Sequence, residues 1–118
     1  MEPKTTLYHN PRCSKSRETL KRLQERGIDA TVIEYLKDSP DVEELRGLAR
    51  MLGVGVHEMI RVKEPVYAEL GLTPSTSEEE LLETIMNHPV LLERPIVVRG
   101  DRAVIGRPPE NVDALFNS

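Results

Sequence analysis

Apolar residues change their spacing along the chain, and each change marks a predicted element. Residues 5–8 form a short β-prone run, and the Asn and Pro within residues 9–13 then indicate a turn. Residues 14–26 are good helix formers that end at Gly27, where a helix is expected to stop. Residues 30–36 are rich in β-branched side chains and predict a second strand. This β-α-β order predicts a parallel pair of strands.

The middle of the chain, residues 41–88, has the spacing of helices and is predicted to be a helical insertion. Two pairs of residues have capping-box spacing and open its longer helices, Asp41 with Glu44 and Ser77 with Glu80. Apolar residues follow each pair at helical positions. Two further short helices are predicted at residues 57–60 and 65–70. Helices are expected to end at Gly53 and at residues 88–89.

Residues typical of β-strands return near the end of the chain. Residues 95–99 and 102–105 are apolar runs separated by Gly100 and Asp101, which predicts a β-hairpin with a two-residue turn. Residues 109–116 then predict a terminal helix that begins with a proline. The whole order indicates one α/β domain over residues 1–118 with a four-stranded mixed sheet, although other α/β arrangements have the same order of elements.

Composition narrows the class of protein. The chain has 118 residues, of which 38% are hydrophobic and 31% charged, so it is expected to fold rather than to be disordered or fibrous. No apolar run approaches the roughly 20 residues of a membrane span, and the N-terminus lacks the pattern of a signal peptide. A net charge of −4 argues against nucleic-acid binding, although basic side chains cluster around residue 13 and favour a local anion site.

Cys13 is the single cysteine, so no intramolecular disulfide can form and a reducing compartment, the cytoplasm, is expected. The residue lies at a predicted strand-to-helix junction, where unpaired N–H groups stabilise a thiolate. Lowering a thiol pKa by about two units requires ~2.7 kcal/mol, which the helix end together with Arg12 or Arg17 could supply. The alternative is that Cys13 is a small buried apolar residue.

Neighbouring residues exclude some thiol chemistries. A phosphatase-type loop requires an arginine six residues after the cysteine, but Thr19 stands there, and a dithiol site requires a cysteine where Ser16 stands. Ser16 therefore either hydrogen-bonds the thiolate or is an ordinary first-turn serine. His9 and Cys13 provide too few ligands for a metal, so none is expected, and His9 is assigned an electrostatic or structural role.

The stretch HNPRCSKSRETL at residues 9–20 resembles the active-site signature of the glutaredoxin-coupled arsenate reductase family. The resemblance continues in the same order and spacing over nearly the whole chain. Its further segments are EYL at 34–36, IR at 60–61, ELGL at 69–72, HP at 88–89, RPIVV at 94–98 and GRP at 106–108. The resemblance implies a thioredoxin-like α/β fold with a single-cysteine active site.

By this resemblance Cys13 is the nucleophile, assisted by His9, and three arginines surround the oxyanion. Ser16 and Arg17 are supporting residues, and Pro95 matches the cis-proline beside the cysteine. The substrate-binding arginines that the resemblance implies are Arg61, Arg94 and Arg107.

The implied reaction is reduction of arsenate to arsenite through a thioarsenate on Cys13. Glutathione is the co-substrate, glutaredoxin is the partner, and no bound cofactor is expected. Two alternatives stay open. The same fold family contains regulators that bind RNA polymerase, and the protein could instead reduce another substrate with thiols.

Overall fold

The computed structural model describes residues 3–116. Its contacts divide the chain into two compact units. Among the described residues, the sheet unit contains residues 3–38 and 94–116, and the helical unit contains Ser39–Glu93. The predicted insertion over residues 41–88 falls inside the helical unit. None of the helices within the described residues has the length and apolar character needed to span a membrane.

The sheet unit is built on four strands, which are β1 (Thr5–Tyr8), β2 (Thr31–Ile33), β3 (Ile96–Arg99) and β4 (Arg102–Ile105). Their order across the sheet is β2-β1-β3-β4. β1 pairs in parallel with β2 and antiparallel with β3, and β3 and β4 form an antiparallel hairpin. The predicted mixed sheet, parallel pair and hairpin are therefore confirmed.

Helix α1 (Ser14–Glu25) crosses from β1 to β2, and a 3₁₀ helix over Pro109–Leu115 packs against α1 and β4. The core of the unit lies between these elements and includes Leu7, Leu23, Val97, Val112 and Leu115. The chain reverses after α1 at Gly27, whose φ of 74° is easily reached only without a side chain. Burial of the apolar faces of α1 and the sheet thus holds the start of α1 beside the end of β1.

Two predicted elements differ from the structure. The strand predicted over residues 30–36 is confined to Thr31–Ile33, because the backbone N–H groups of Lys37 and Asp38 both donate to the carbonyl of Glu34 at 2.9 Å and turn the chain. The terminal helix predicted over residues 109–116 is the 3₁₀ helix Pro109–Leu115. In both regions hydrogen bonds of short turns replace the longer regular pattern.

The helical unit contains α2 (Val42–Leu52), α3 (Pro65–Glu69) and α4 (Glu78–Asn87), with 3₁₀ turns over Val56–Met59 and Pro89–Leu91. Both predicted caps form, since Asp41 Oδ1 accepts from the Glu44 N–H at 2.8 Å and Ser77 Oγ accepts from the Glu80 N–H at 3.2 Å. Its buried side chains include Leu45, Leu48, Met59, Leu81, Leu82, Ile85, Leu91 and Leu92.

Candidate active site

Cys13 is the N-cap residue of α1 and is half-buried. Its backbone is extended, its N–H donates to the Asn10 carbonyl at 3.0 Å, and its carbonyl accepts the Arg17 N–H at 3.0 Å. The loop before it is anchored to the sheet by the His9 N–H, which donates to the Ile33 carbonyl at 2.8 Å. The sulfur is therefore fixed at the helix N-terminus, as the strand-to-helix pattern predicts.

Opposing effects act on the pKa of Cys13. Burial raises the pKa, but the backbone N–H groups of Ser16 and Lys15 at the start of α1 favour the thiolate and lower the pKa. The Arg94 guanidinium lowers it further, both by its charge and by a side-chain hydrogen bond. The net result is a pKa below the ordinary value for cysteine, so a larger fraction of Cys13 is thiolate at neutral pH.

The cation beside the sulfur is Arg94, and the prediction that Arg12 or Arg17 supplies it is wrong. Arg17 Nη1 donates instead to the Pro11 carbonyl at 2.9 Å and braces the loop, and the Arg12 side chain is exposed. Arg94 directly precedes the cis peptide bond to Pro95 and the start of β3, the strand paired with β1. Sheet pairing, and not sequence proximity, brings this guanidinium to Cys13.

His9 and Ser16 form a buried polar pair behind the loop. They are 6% and 0% exposed, and His9 Nδ1 lies 2.6 Å from Ser16 Oγ. The same hydroxyl accepts the Asn10 N–H at 3.0 Å. The Ser16 hydroxyl thus ties the loop to α1, and the Ser16 backbone N–H is one of the groups that lower the pKa of Cys13.

The pKa of the His9 imidazole lies below its ordinary value, which favours the neutral ring. Burial is the main effect that lowers its pKa, Glu34 opposes this change, and the positive charge of Arg17 adds to it. A neutral ring at 2.6 Å from a buried hydroxyl is a structural hydrogen-bond partner. Both the structural role and the assistance to Cys13 stay predictions for His9.

Gly106 allows an unusually close approach at the end of β4. A Cβ atom at this position would lie 2.8 Å from Thr19 Oγ1 and 2.9 Å from Pro95 Cγ. The Gly106 N–H also donates to the Pro95 carbonyl at 2.8 Å. The lack of a side chain at Gly106 therefore lets this backbone pack closely against both Pro95 and Thr19 of α1. The sequence pattern did not predict this role, and only the GRP segment of the resemblance pointed to it.

The other two predicted arginines lie in different surroundings. Arg107 follows Gly106 in the sheet unit and is exposed, and its bond to Pro108 is a second cis peptide. Arg61 belongs to the helical unit, where its Nη1 lies 2.8 Å from Glu64 Oε1 and donates to the Val90 carbonyl at 3.3 Å. The anion-binding roles of Arg61 and Arg107 stay predictions.

No cluster of three or more histidine, cysteine, aspartate or glutamate side chains suited to a metal ion occurs among residues 3–116. The chemistry available at the site is that of a stabilised thiolate beside a guanidinium. Such a pair can attack an electrophilic centre in an anion, because the cation binds the anion while the sulfur acts as nucleophile.

Comparison with known proteins identifies the relatives of this chain. The model of the ArsC family matches residues 8–115. The chain is 48% identical to the arsenate reductase of Neisseria meningitidis serogroup B, over 97% of this chain and 99% of that protein. It is also 48% identical to the uncharacterized protein YfgD of Escherichia coli, over 95% of this chain and 96% of that protein.

The fold is similar to that of a solved relative. The structure of an arsenate reductase from Vibrio cholerae superposes with a TM-score of 0.92 at 47% identity, covering 97% of this chain and 98% of the other. This match confirms the predicted thioredoxin-like α/β fold. With Cys13 on the N-terminus of α1 inside the matched residues, the chain belongs to the ArsC family.

Proposed function

We propose that the protein reduces arsenate to arsenite, with Cys13 as the nucleophile. The observation that supports this most directly is the position of Cys13 as the N-cap of α1, where the Arg94 guanidinium lowers its pKa. Arsenate is a tetrahedral oxyanion, and a planar guanidinium pairs with two of its oxygens at once. One side chain can thus stabilise the thiolate before the substrate arrives and hold the substrate afterwards.

In the first step the Cys13 thiolate attacks arsenic(V) and forms a sulfur–arsenic bond. One arsenate oxygen takes up a proton and leaves as water, so the oxidation state of arsenic is unchanged. The backbone N–H groups of Ser16 and Lys15 favour the thiolate form of Cys13 before the attack. Arg94 offsets the negative charge that accumulates on the arsenate oxygens.

In the second step a glutathione thiolate attacks the sulfur of Cys13. The sulfur–arsenic bond breaks with its electron pair on arsenic, which becomes arsenic(III), takes up protons and leaves as arsenous acid. Cys13 is left in a mixed disulfide with glutathione, and glutaredoxin removes the glutathione by thiol–disulfide exchange. External thiols are required because Cys13 is the single cysteine of the chain.

The other residues of the site have separate roles in this mechanism. Arg61 and Arg107 enter as further anion ligands on the family resemblance alone. His9 acts through the Ser16 hydroxyl to hold the loop before Cys13 against the start of α1. Arg17 braces the loop through the Pro11 carbonyl. Pro95 carries the backbone that places Arg94.

The test is arsenite formation from arsenate in the presence of glutathione, glutaredoxin, glutathione reductase and NADPH. Cys13→Ser should abolish turnover, and Arg94→Ala should lower kcat/KM by about 100-fold, as loss of one charged donor to a transition-state oxyanion does. Arg50→Ala, which removes an exposed arginine at the end of α2, is the matched control and should retain activity. Turnover no higher than the glutaredoxin blank, with Cys13 reactive, would refute the proposal.

A further inference from the structure

The turn that carries Arg61 is held in place by backbone bonds within the helical unit. The N–H of Arg61 donates to the Leu91 carbonyl at 2.8 Å, and the carbonyl of Arg61 accepts the Glu64 N–H at 3.0 Å. Ile60 and Leu92 form an antiparallel bridge directly before this turn. Arg61 and Glu64 are therefore the two ends of one fixed turn, and their side chains start from a rigid backbone.

A side-chain contact closes the segment around this turn. His57 Nε2 lies 2.7 Å from the Tyr67 hydroxyl, and the two rings form a T-shaped pair with centroids 5.8 Å apart. His57 precedes the turn, and Tyr67 follows it within α3. The contact joins the chain on both sides of Arg61 and limits the movement of the turn.

The Arg61 guanidinium uses only part of its hydrogen-bonding capacity. Its Nη1 lies 2.8 Å from Glu64 Oε1 and 3.3 Å from the Val90 carbonyl oxygen. Among residues 3–116, no hydrogen-bond partner is found for its Nε or Nη2. These two nitrogens form one edge of the planar group, and this edge can donate to two oxygens of the same anion.

Glu64 supplies an acceptor next to these donors. Its Oε1 pairs with Arg61, and no donor within the described part of the chain hydrogen-bonds its Oε2. The side chains of Arg61 and Glu64 are 21% and 20% exposed, whereas those of the Arg46–Glu79 pair in the same unit are 31% and 63% exposed. The Arg61–Glu64 pair is thus partly shielded from water, yet a small ion can still reach it.

Two donors beside a carboxylate distinguish one tetrahedral anion from another. Arsenate and phosphate both carry an O–H group near neutral pH, which can donate to a carboxylate oxygen while two other oxygens accept from a guanidinium. Sulfate has the same shape but no O–H group near neutral pH. A sulfate oxygen would therefore face the carboxylate with no proton between them, and the repulsion weakens binding.

We propose that Glu64 is a specificity-determining residue that selects protonated oxyanions at Arg61. Nε and Nη2 of Arg61 donate to two oxygens of the anion, and Glu64 Oε2 accepts a hydrogen bond from its O–H group. Arsenate satisfies all three groups, whereas sulfate leaves the carboxylate facing a negative oxygen. The inference rests on the proposed function, because it concerns the anion that Arg61 is assigned to bind there.

The experiment measures binding of inorganic phosphate and of sulfate to the full chain, by titration followed by amide NMR shifts. The native protein should bind phosphate at least about tenfold more tightly than sulfate, with shifts that include residues 61–64, because a charged hydrogen bond is exchanged for a repulsive contact. In Glu64→Gln, whose amide is uncharged and can donate to sulfate, this ratio should fall to about twofold or less.

Glu79→Gln is the matched control, because it removes the carboxylate that pairs with Arg46 in the same unit. Its phosphate-to-sulfate ratio should stay within about twofold of the native value. Arg61→Ala should weaken phosphate binding about tenfold. A native protein without a preference for phosphate, an unchanged ratio in Glu64→Gln, an equal change in Glu79→Gln, or full phosphate affinity in Arg61→Ala would each overturn the inference.

A kinetic arm separates this inference from the proposed function. If arsenate is reduced, sulfate should inhibit Glu64→Gln about tenfold more strongly than the native protein, whereas phosphate should inhibit it no more strongly. Equal inhibition of both proteins by sulfate would overturn the role of Glu64 while leaving arsenate reduction intact. A phosphate preference that depends on Glu64, in a protein that does not reduce arsenate, would refute the proposed function and support Glu64 as the selecting residue.

Discussion

Substitution of Gly106 by alanine tests how the site is held together. The added Cβ would lie 2.8 Å from Thr19 Oγ1 and 2.9 Å from Pro95 Cγ, both shorter than real Cβ contacts. Neither neighbour can move easily. Thr19 is completely buried and its hydroxyl donates to the Lys15 carbonyl at 2.9 Å, and Pro95 is a buried rigid ring.

Overpacking of this kind costs about 1–3 kcal/mol. In a domain of this size the melting temperature should fall by roughly 4 °C for each kcal/mol. Because Gly106 hydrogen-bonds the Pro95 carbonyl, relief of the clash should also displace Pro95 and with it Arg94. We therefore expect the pKa of Cys13 to rise, and the pH profile of Cys13 alkylation should move to higher pH.

Two further variants make this experiment decisive. Gly47→Ala lies inside α2 with no atom within 4 Å of its added Cβ, and it should stabilise the protein by about 0.5–1 kcal/mol through helix propensity. Thr19→Ala removes one side of the clash, so Gly106→Ala should cost about 1 kcal/mol less in that background. A Gly106→Ala protein as stable as the native one, with an unchanged alkylation profile, would refute the reasoning.

Three other outcomes follow from the site and its surroundings. Arg94→Ala should raise the pKa of Cys13, and an alkylation profile identical to that of the native protein would contradict the contact. Ser16→Ala should lower the free energy of unfolding in urea by about 1–3 kcal/mol, because it leaves His9 Nδ1 and the Asn10 N–H without their buried partner. The control is Ser14→Ala, at an exposed position in the first turn of α1, which should change the free energy of unfolding by less than about 0.5 kcal/mol. Arg22 and Arg26 hold the pKa of Asp113 at about 2, so this carboxylate contributes stability above its ordinary pKa of 3.8 that is lost as the pH falls towards 2. The unfolding midpoints of native and Asp113→Asn protein should therefore differ near neutral pH and converge in acid, and a constant difference would contradict the ion pairs.

Local signals predicted much of the fold. The capping residues Asp41 and Ser77 form the expected side-chain bonds, and the Gly100 turn joins the expected hairpin, because each depends on neighbours within a few residues. The segment after β2 was predicted incorrectly, because its residues are β-prone but its backbone hydrogen bonds form a turn. Tyr35 is β-prone and fully buried, yet two backbone bonds to the Glu34 carbonyl hold it in a turn.

The cation beside Cys13 was not predictable from local residues. Arg12 and Arg17 are close in sequence, but the loop directs Arg17 to the Pro11 carbonyl and leaves Arg12 exposed. Arg94 reaches the sulfur only through the pairing of β1 with β3, and among the sequence signals the family resemblance alone named it. The close approach at Gly106 likewise depends on three segments that are distant in the chain.

The two halves of the sheet unit are encoded on either side of the helical unit, with consequences during synthesis on the ribosome. Cys13 and α1 emerge early, whereas Arg94 and β3 follow only after residues 39–93. Until β3 pairs with β1, the nascent thiol lacks the guanidinium that lowers its pKa. The share of the pKa lowering that Arg94 supplies is thus available only after the sheet closes, and we expect the thiol of the incomplete chain to be less prone to oxidation and alkylation.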